Sequence, residues 1–347
     1  MGGLIHSLPA RILTLAPLAL AALAVLMALL IACGSNVDMI TFVSEVDGDA
    51  EIYVIDPDSG VATPLTDNNS SDRDPIWSPD GKQVAYVSDE SGDLEINVVD
   101  RKGEITRRLT NIPGDDLAPL WSPDGAKLAF ISNQDGNAEV YLMNADGGRP
   151  VRITAKEPDD RMGDWSPDGE WLAFARGGSS GERGLWLRNP DGVNLVHLTQ
   201  ENDFGPAWSP DGKHIVFVRE TEGNSDIYLA SRLKDGTWQD AVELTRLTQH
   251  EEDDLAPVWS PNGESVAFVS YRDGNGEIYI MESDGSRQLR LTTNEADDLD
   301  PVWSPDGDRM AFVSHLYGPS EIFIMDDDGG NQRRLTTNDA EDHSPDW

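Results

Sequence analysis

Short apolar runs alternate with polar turns along residues 39–347, and the same order of runs returns several times. Phrases such as DLAPLWSPDG share a tryptophan, and aligning the chain on it gives intervals of 44, 44, 43, 51, 44 and 44 residues. A period of this length with several strands per repeat is typical of a β-propeller blade. The tryptophans of this register are Trp77, Trp121, Trp165, Trp208, Trp259, Trp303 and Trp347.

Each repeat predicts four short strands, which we name A to D. After Trp121 the turn Ser-Pro-Asp-Gly leads into strand B at 127–132, and a second turn leads into strand C at 139–143. Strand D is predicted to end in a Leu-Thr or Ile-Thr pair such as Ile153 and Thr154. The fold class is therefore all-β.

The chain begins and ends out of phase with its repeat. Strands B, C and D at 40–44, 51–56 and 63–66 precede the first tryptophan, whereas the last repeat stops at strand A with Trp347. Joining these pieces into one blade closes a ring and removes the exposed sheet edges of an open array. We predict a seven-bladed β-propeller over 39–347, in which each tryptophan packs between neighbouring blades. We also predict that the protein is a monomer.

Residues 1–38 lie outside the repeat. Arg11, the apolar run 12–31 and the small residues that follow predict a secretory signal over 1–32. The letters LIAC before Gly34 resemble a bacterial lipobox, which would make Cys33 the lipidated first residue and 34–38 a short tether. An uncleaved membrane helix is the alternative. The prediction is an exported lipoprotein anchored through Cys33.

The repeats are strongly acidic. The chain has 63 acidic and 26 basic residues, a net charge of −37, and Arg11 is the only charged residue before Cys33. A surface of this charge repels nucleic acid. It can attract cationic partners or divalent metal, although solubility alone also explains it.

The motifs D-x-x-P-x-W-S-P-D-G, F-V-S, D-G-N-x-E-I-Y and L-T resemble the TolB-type, WD40-like β-propeller repeat. That resemblance implies an envelope protein that binds other proteins. TolB carries an N-terminal α/β domain before a six-bladed propeller, whereas this sequence predicts seven blades without that domain. Related repeats also accompany hydrolase domains of the prolyl oligopeptidase type, and no such domain is predicted here.

An aspartate stands five residues before every tryptophan. A ring of such carboxylates could bind calcium, which favours oxygen ligands, but a feature of all seven repeats is more simply structural, with each carboxylate accepting from loop backbone amides. We therefore predict no cofactor. The ring consists of Asp72, Asp116, Asp160, Asp203, Asp254, Asp298 and Asp342.

Departures from the repeat mark a candidate binding patch. An arginine replaces the serine that ends strand B in two consecutive repeats, and a seven-residue insertion with Trp238 follows in the second of them. An anionic ligand could pair with these arginines, or the arginines could pair with the aspartate ring. The candidate residues are Asp160, Asp164, Arg176, Arg183, Asp203 and Arg219.

Enzyme-like signals are weak. Residues 177–181 fit G-x-S-x-G, but that motif acts between a strand and a helix, and here it falls between strands. Three histidines, His250, His315 and His343, fall on the aspartate face, and histidine with carboxylate suits a transition metal. We predict a non-catalytic scaffold for an envelope protein or glycan, with a channel-centred metal-assisted lactonase or polysaccharide lyase as the alternative.

Overall fold

A computed structural model describes residues 39–155, 158–178, 181–233 and 236–347, so the predicted signal segment and Cys33 lie outside the described residues. The described chain forms seven four-stranded antiparallel sheets. It is a seven-bladed β-propeller, as the repeat predicted. None of the described residues belongs to a helix that could cross a bilayer.

Blades 1 to 6 follow the chain in order, each with strands A, B, C and D. Their bounds are β4 Asp72–Trp77, β5 Gln83–Ser88, β6 Glu95–Asp100 and β7 Thr106–Arg108; β8 Asp116–Trp121, β9 Lys127–Ser132, β10 Glu139–Asn144 and β11 Val151–Arg152; β12 Asp160–Trp165, β13 Leu172–Arg176, β14 Gly184–Arg188 and β15 Leu195–His197; β16 Asn202–Trp208, β17 His214–Thr221, β18 Asn224–Arg232 and β19 Val242–Arg246; β20 Asp254–Trp259, β21 Ser265–Ser270, β22 Glu277–Glu282 and β23 Leu289–Arg290; β24 Asp298–Trp303, β25 Arg309–Ser314, β26 Glu321–Asp326 and β27 Arg333–Arg334.

Blade 7 closes the ring from the two ends of the repeat region. Strands β1 (Ile40–Ser44), β2 (Glu51–Ile55) and β3 (Ala62–Pro64) supply B, C and D, and β28 (Asp342–Asp346) supplies A. The register pairs Ser44 with Asp342 and Thr41 with Asp346. Strand β1 is therefore hydrogen-bonded on both sides, which leaves it no free edge.

The predicted ends of the D strands are wrong by a few residues. Strand β3 stops at Pro64, and Leu65 and Thr66 follow it. Leu65 is buried in the core, and the Thr66 hydroxyl accepts the Ile52 amide at 2.9 Å. The Leu-Thr pair is thus a buried anchor that comes after the strand, because its side chains pack inward while the D strand lies on the exposed outer rim.

The tryptophans pack between blades as predicted. Trp77 shares an apolar cluster with Val43 and Ile52 of blade 7 and Val84 of blade 1. Indole N–H groups reach back across the junction, and that of Trp121 donates to the Ile76 carbonyl at 3.3 Å. Each blade contributes a buried aromatic or aliphatic face to both neighbours, so stability resides in the junctions.

Strand A is the innermost strand of each sheet, and neighbouring A strands contact each other around the ring. They therefore surround the central channel. Each A strand begins at the end that carries the B–C and D–A loops, which we call the mouth face. The A–B and C–D turns lie on the opposite face.

Candidate functional site at the channel mouth

The seven aspartates of the predicted ring lie at or next to the start of the A strands and are all buried, with at most 3% of any of them exposed. The predicted donors were backbone amides, but the structure shows side chains instead. The side-chain amide groups of three asparagines donate to these carboxylates: Asn68 to Asp72 at 2.8 Å, Asn294 to Asp298 at 2.6 Å and Asn338 to Asp342 at 2.8 Å. These carboxylates hold the D–A loops and do not form an open ring of ligands.

In three consecutive blades the partner of this aspartate is an arginine. Arg176 binds Asp160 with two hydrogen bonds of 2.6 and 2.8 Å. Arg219 binds Asp203 in the same way at 2.6 and 2.7 Å. The structure thus shows the internal pairing that was one of the two alternatives, and Arg176 is only 3% exposed. An anionic ligand cannot reach its guanidinium.

Sequence comparison missed the third pair, in which Arg272 binds Asp254 at 3.0 and 3.1 Å. This arginine stands two residues after the strand-ending Ser270 and does not replace it. Its side chain reaches back over Tyr279, whose ring centre is 4.6 Å from the guanidinium carbon. Aligning the repeats by sequence does not show that the Arg272 side chain folds back to reach Asp254.

The other two members of the predicted patch lie elsewhere. Arg183 contributes its backbone carbonyl to the His197 ring at 3.0 Å. Asp164 lies at the blade 3 to blade 4 junction, where its carboxylate accepts the backbone amides of Trp165 at 2.8 Å and Trp208 at 2.9 Å. The six residues therefore do not form one patch.

Asp346 makes the same bridge as Asp164, at the seam of the ring. Its carboxylate accepts the Trp77 amide at 2.7 Å and joins the last strand to blade 1. Burial raises the pKa of both Asp164 and Asp346 to about 6. Gly163, which replaces the usual proline beside Asp164, is required by packing, because a Cβ there would stand 2.4 Å from Pro206.

The insertion of blade 4 lies on the opposite face, and its tryptophan is buried against the same blade. Trp238 is 3% exposed and meets the Trp208 ring edge-on at 4.8 Å. Its indole N–H donates to the Gly212 carbonyl at 3.3 Å. Residues 234 and 235 of the insertion, and the two serines of G-x-S-x-G, lie outside the described residues.

A separate polar group occupies one side of the channel mouth, across blades 6, 7 and 1. Asp74 and Asp300 both lie three residues before their tryptophan, in the bulge of strand A, with φ of 53° and 51°. The equivalent residues of blades 2 and 5 are Ala118 and Ala256, with the same backbone. The backbone of this bulge is therefore shared by these four blades, and only blades 1 and 6 place a carboxylate on it.

Histidines lie close to these carboxylates. The charge of His343 acts on both Asp74 and Asp300, and His315 acts on Asp300. Burial raises the pKa of both aspartates, and the neighbouring cationic groups oppose that rise. Glu341 stands beside them with its pKa lowered, because it accepts the Ser320 hydroxyl at 2.6 Å and amide at 2.8 Å.

His315 and His343 both act on the carboxylate of Asp300. Across the ranges that the structure describes, no group of three or more histidine, cysteine or acidic side chains has a geometry that could hold a metal. The mouth instead carries two additional aspartates, Asp74 and Asp300, with histidines close to them. The sequence already carried this signal, because the position three residues before the tryptophan is aspartate in blades 1 and 6 and is Ala118, Met162, Gly205, Ala256 and Ser344 in the other blades.

Two family models match the chain in sequence. Residues 185–347 match the TolB beta propeller domain, and residues 95–184 match the Tricorn protease N-terminal beta propeller domain. A TolB homolog from Chlorobium luteolum is 32% identical over 105 residues, which cover 30% of this chain and 22% of that protein. The matched segment thus spans about a fifth of that relative's length.

Solved structures share the fold. TolB from Acinetobacter baumannii superposes with a TM-score of 0.60 at 21% identity, over 96% of this chain and 73% of that one. An oligogalacturonate lyase in complex with manganese gives a TM-score of 0.69 at 19% identity, over 84% of this chain and 87% of that one. At these identities the likeness shows the architecture and leaves the chemistry open.

Proposed function

Since this chain is built of TolB-type β-propeller repeats, we propose that it is an extracytoplasmic binding scaffold of the bacterial cell envelope. The predicted signal segment and the lipobox-like Cys33 support export and anchoring at a membrane. The partner is an envelope protein or glycan that docks on the mouth face.

One observation carries this proposal. The described mouth departs from sevenfold repetition at one position of strand A, which is Asp74 in blade 1 and Asp300 in blade 6 but alanine in blades 2 and 5. A partner needs such an asymmetric surface to bind in one orientation. The carboxylates favour a basic partner segment, and their attraction steers its approach.

The test is partner capture from envelope extracts with purified protein as bait. Asp74→Asn with Asp300→Asn removes two charges from the mouth, and we expect retained partners to fall at least tenfold. Glu104→Gln with Glu243→Gln is the control, since it removes two charges far from the mouth. Equal capture by both variants would refute a mouth-centred scaffold.

We do not propose the lactonase or lyase alternative. The manganese-bound oligogalacturonate lyase is similar to this chain at 19% identity, which supports a shared fold alone. The acidic mouth also favours a cationic partner over an acidic polysaccharide, because like charges repel.

A further inference from the structure

The junctions between blades share a side-chain position on the opposite face, where strand B begins six residues after the tryptophan. In blade 6 this residue is Arg309, and in blade 4 it is His214. Side chains two residues apart in a strand lie on the same side of the sheet. Ala311 packs in the cluster shared with blade 7, and Val216 packs in the cluster shared with blade 5. Arg309 and His214 therefore both face the next blade along the chain.

At the junction of blades 6 and 7 the chain supplies its own cation. The guanidinium carbon of Arg309 lies 5.0 Å from the centre of the Trp347 ring. The same guanidinium donates to the carboxylate of Asp58, in the C–D turn of blade 7, at 2.8 Å. Because an indole face attracts a cation and a carboxylate neutralises it, this junction shows which group the position accepts.

At the junction of blades 4 and 5 no such cation is present among the described residues. The Nδ1 of His214 lies 2.8 Å from the hydroxyl of Ser231, which belongs to the same blade. The His214 ring is tilted by 35° to the ring of Trp259, and their centres are 6.5 Å apart. Trp259 is the counterpart of Trp347 and is partly exposed. Its indole therefore lacks the guanidinium that Trp347 has.

The space at this junction is a cavity of about 480 Å³. This volume is within the range of small-ligand sites, about 300 to 1,000 Å³. His214, Trp259 and Asp284 all line it. Asp284 lies in the C–D turn of blade 5, at the position that Asp58 has in blade 7. The cavity wall thus contains the indole and the carboxylate that hold Arg309 at the other junction.

The charged groups on the wall are carboxylates, and none of the described lining residues is lysine or arginine. Asp211 already accepts the ammonium group of Lys213 at 2.8 Å. Asp284 is exposed, and its carboxylate accepts the backbone amide of Ser286 at 2.9 Å. Within the described residues Asp284 forms no ion pair, so its charge is available to a guest.

We propose that this cavity binds the guanidinium group of an arginine side chain from a partner protein. The guest stacks over Trp259 and pairs with Asp284, as Arg309 does with Trp347 and Asp58. A planar guanidinium suits both an aromatic face and a carboxylate better than an ammonium group does. The net charge of −37 also favours a cationic guest. Since the cavity lies on the face opposite the mouth, this inference goes beyond the mouth-centred scaffold.

The experiment is a ligand-observed NMR titration of the full chain with N-acetylarginine amide, and the neutral isostere N-acetylcitrulline amide is the control probe. Salt at about 0.15 M screens diffuse attraction to the acidic surface. We expect saturable binding of the arginine probe only. Asp284→Asn should weaken this binding at least threefold. His214→Arg should abolish it, because the chain then fills the cavity with its own guanidinium.

Each variant has a matched control. Asp191→Asn changes the equivalent turn residue of blade 3, which accepts the Val193 amide at the same distance of 2.9 Å. Ser265→Arg adds the same charge at the equivalent position of blade 5, on the side that faces blade 6. Both controls should bind the arginine probe as the wild-type chain does.

Absence of binding, equal binding of both probes, or full binding by Asp284→Asn or His214→Arg would overturn the proposed site. Equal weakening by Asp284→Asn and Asp191→Asn would also overturn it, because the probe would then sense only surface charge. These measurements contain no envelope partner and leave the mouth carboxylates unchanged. Their failure would therefore leave the mouth-centred scaffold standing, and the reverse also holds.

Discussion

The bridge from Asp346 to blade 1 predicts a pH-dependent seam. Its folded-state pKa is about 6 against an ordinary 3.8. A raised pKa means that the folded chain binds the proton more tightly than the unfolded chain does. The free energy of unfolding therefore rises as the pH falls through 6 toward 3.8.

The size of the effect follows from linkage. Lowering the pH from about 7.5 to about 5 should stabilise the fold through this one carboxylate by about 1.4 kcal/mol. Asp346→Asn keeps an oxygen for the Trp77 amide but cannot titrate. The wild-type chain should therefore gain about 1.4 kcal/mol more than Asp346→Asn over this pH range.

The assay is urea unfolding followed by tryptophan fluorescence, with both proteins compared at the two pH values. Other titrating groups are present in both chains, so their contributions cancel in the difference. Asp164→Asn is the matched variant, because it removes the titrating carboxylate from the same kind of bridge at an interior junction. A full wild-type pH response in Asp346→Asn would refute the reasoning.

Three further outcomes follow from buried contacts, and thermal or urea unfolding measures each. Trp238→Ala should cost about 3 to 5 kcal/mol, because it leaves a cavity beside Trp208. Arg176→Met should cost about 3 to 5 kcal/mol by leaving Asp160 buried without its cation, and adding Asp160→Asn should recover part of the loss. Gly163→Ala should destabilise the fold because its Cβ meets a proline ring, whereas Gly205→Ala should be tolerated, since nothing lies within 4 Å of its Cβ and alanine holds the same backbone in two other blades.

The architecture was predictable because it depends on what all repeats share. The interval between tryptophans gave the length of one blade. The count of strands before Trp77 and after Trp303 required the two ends of the repeat region to share one blade. Strand ends were less predictable, as Leu65 and Thr66 show, because a buried pair after a strand has the same apolar pattern as a pair within it.

The site was harder to predict because it depends on where long side chains turn. Arg176 departs from the repeat and suggested a ligand, yet its charge serves Asp160 in the same blade. Arg272 makes the same bond from outside the strand and gave no signal.

Composite closure also bears on synthesis. The ribosome makes β1 first among the strands and β28 last, yet β28 is the strand that covers one edge of β1. Until β28 has been translated, β1 has only β2 as a neighbour and offers an open backbone edge to other nascent chains. We therefore expect chaperone dependence during biogenesis to be set by the last strand of the fold rather than by the first.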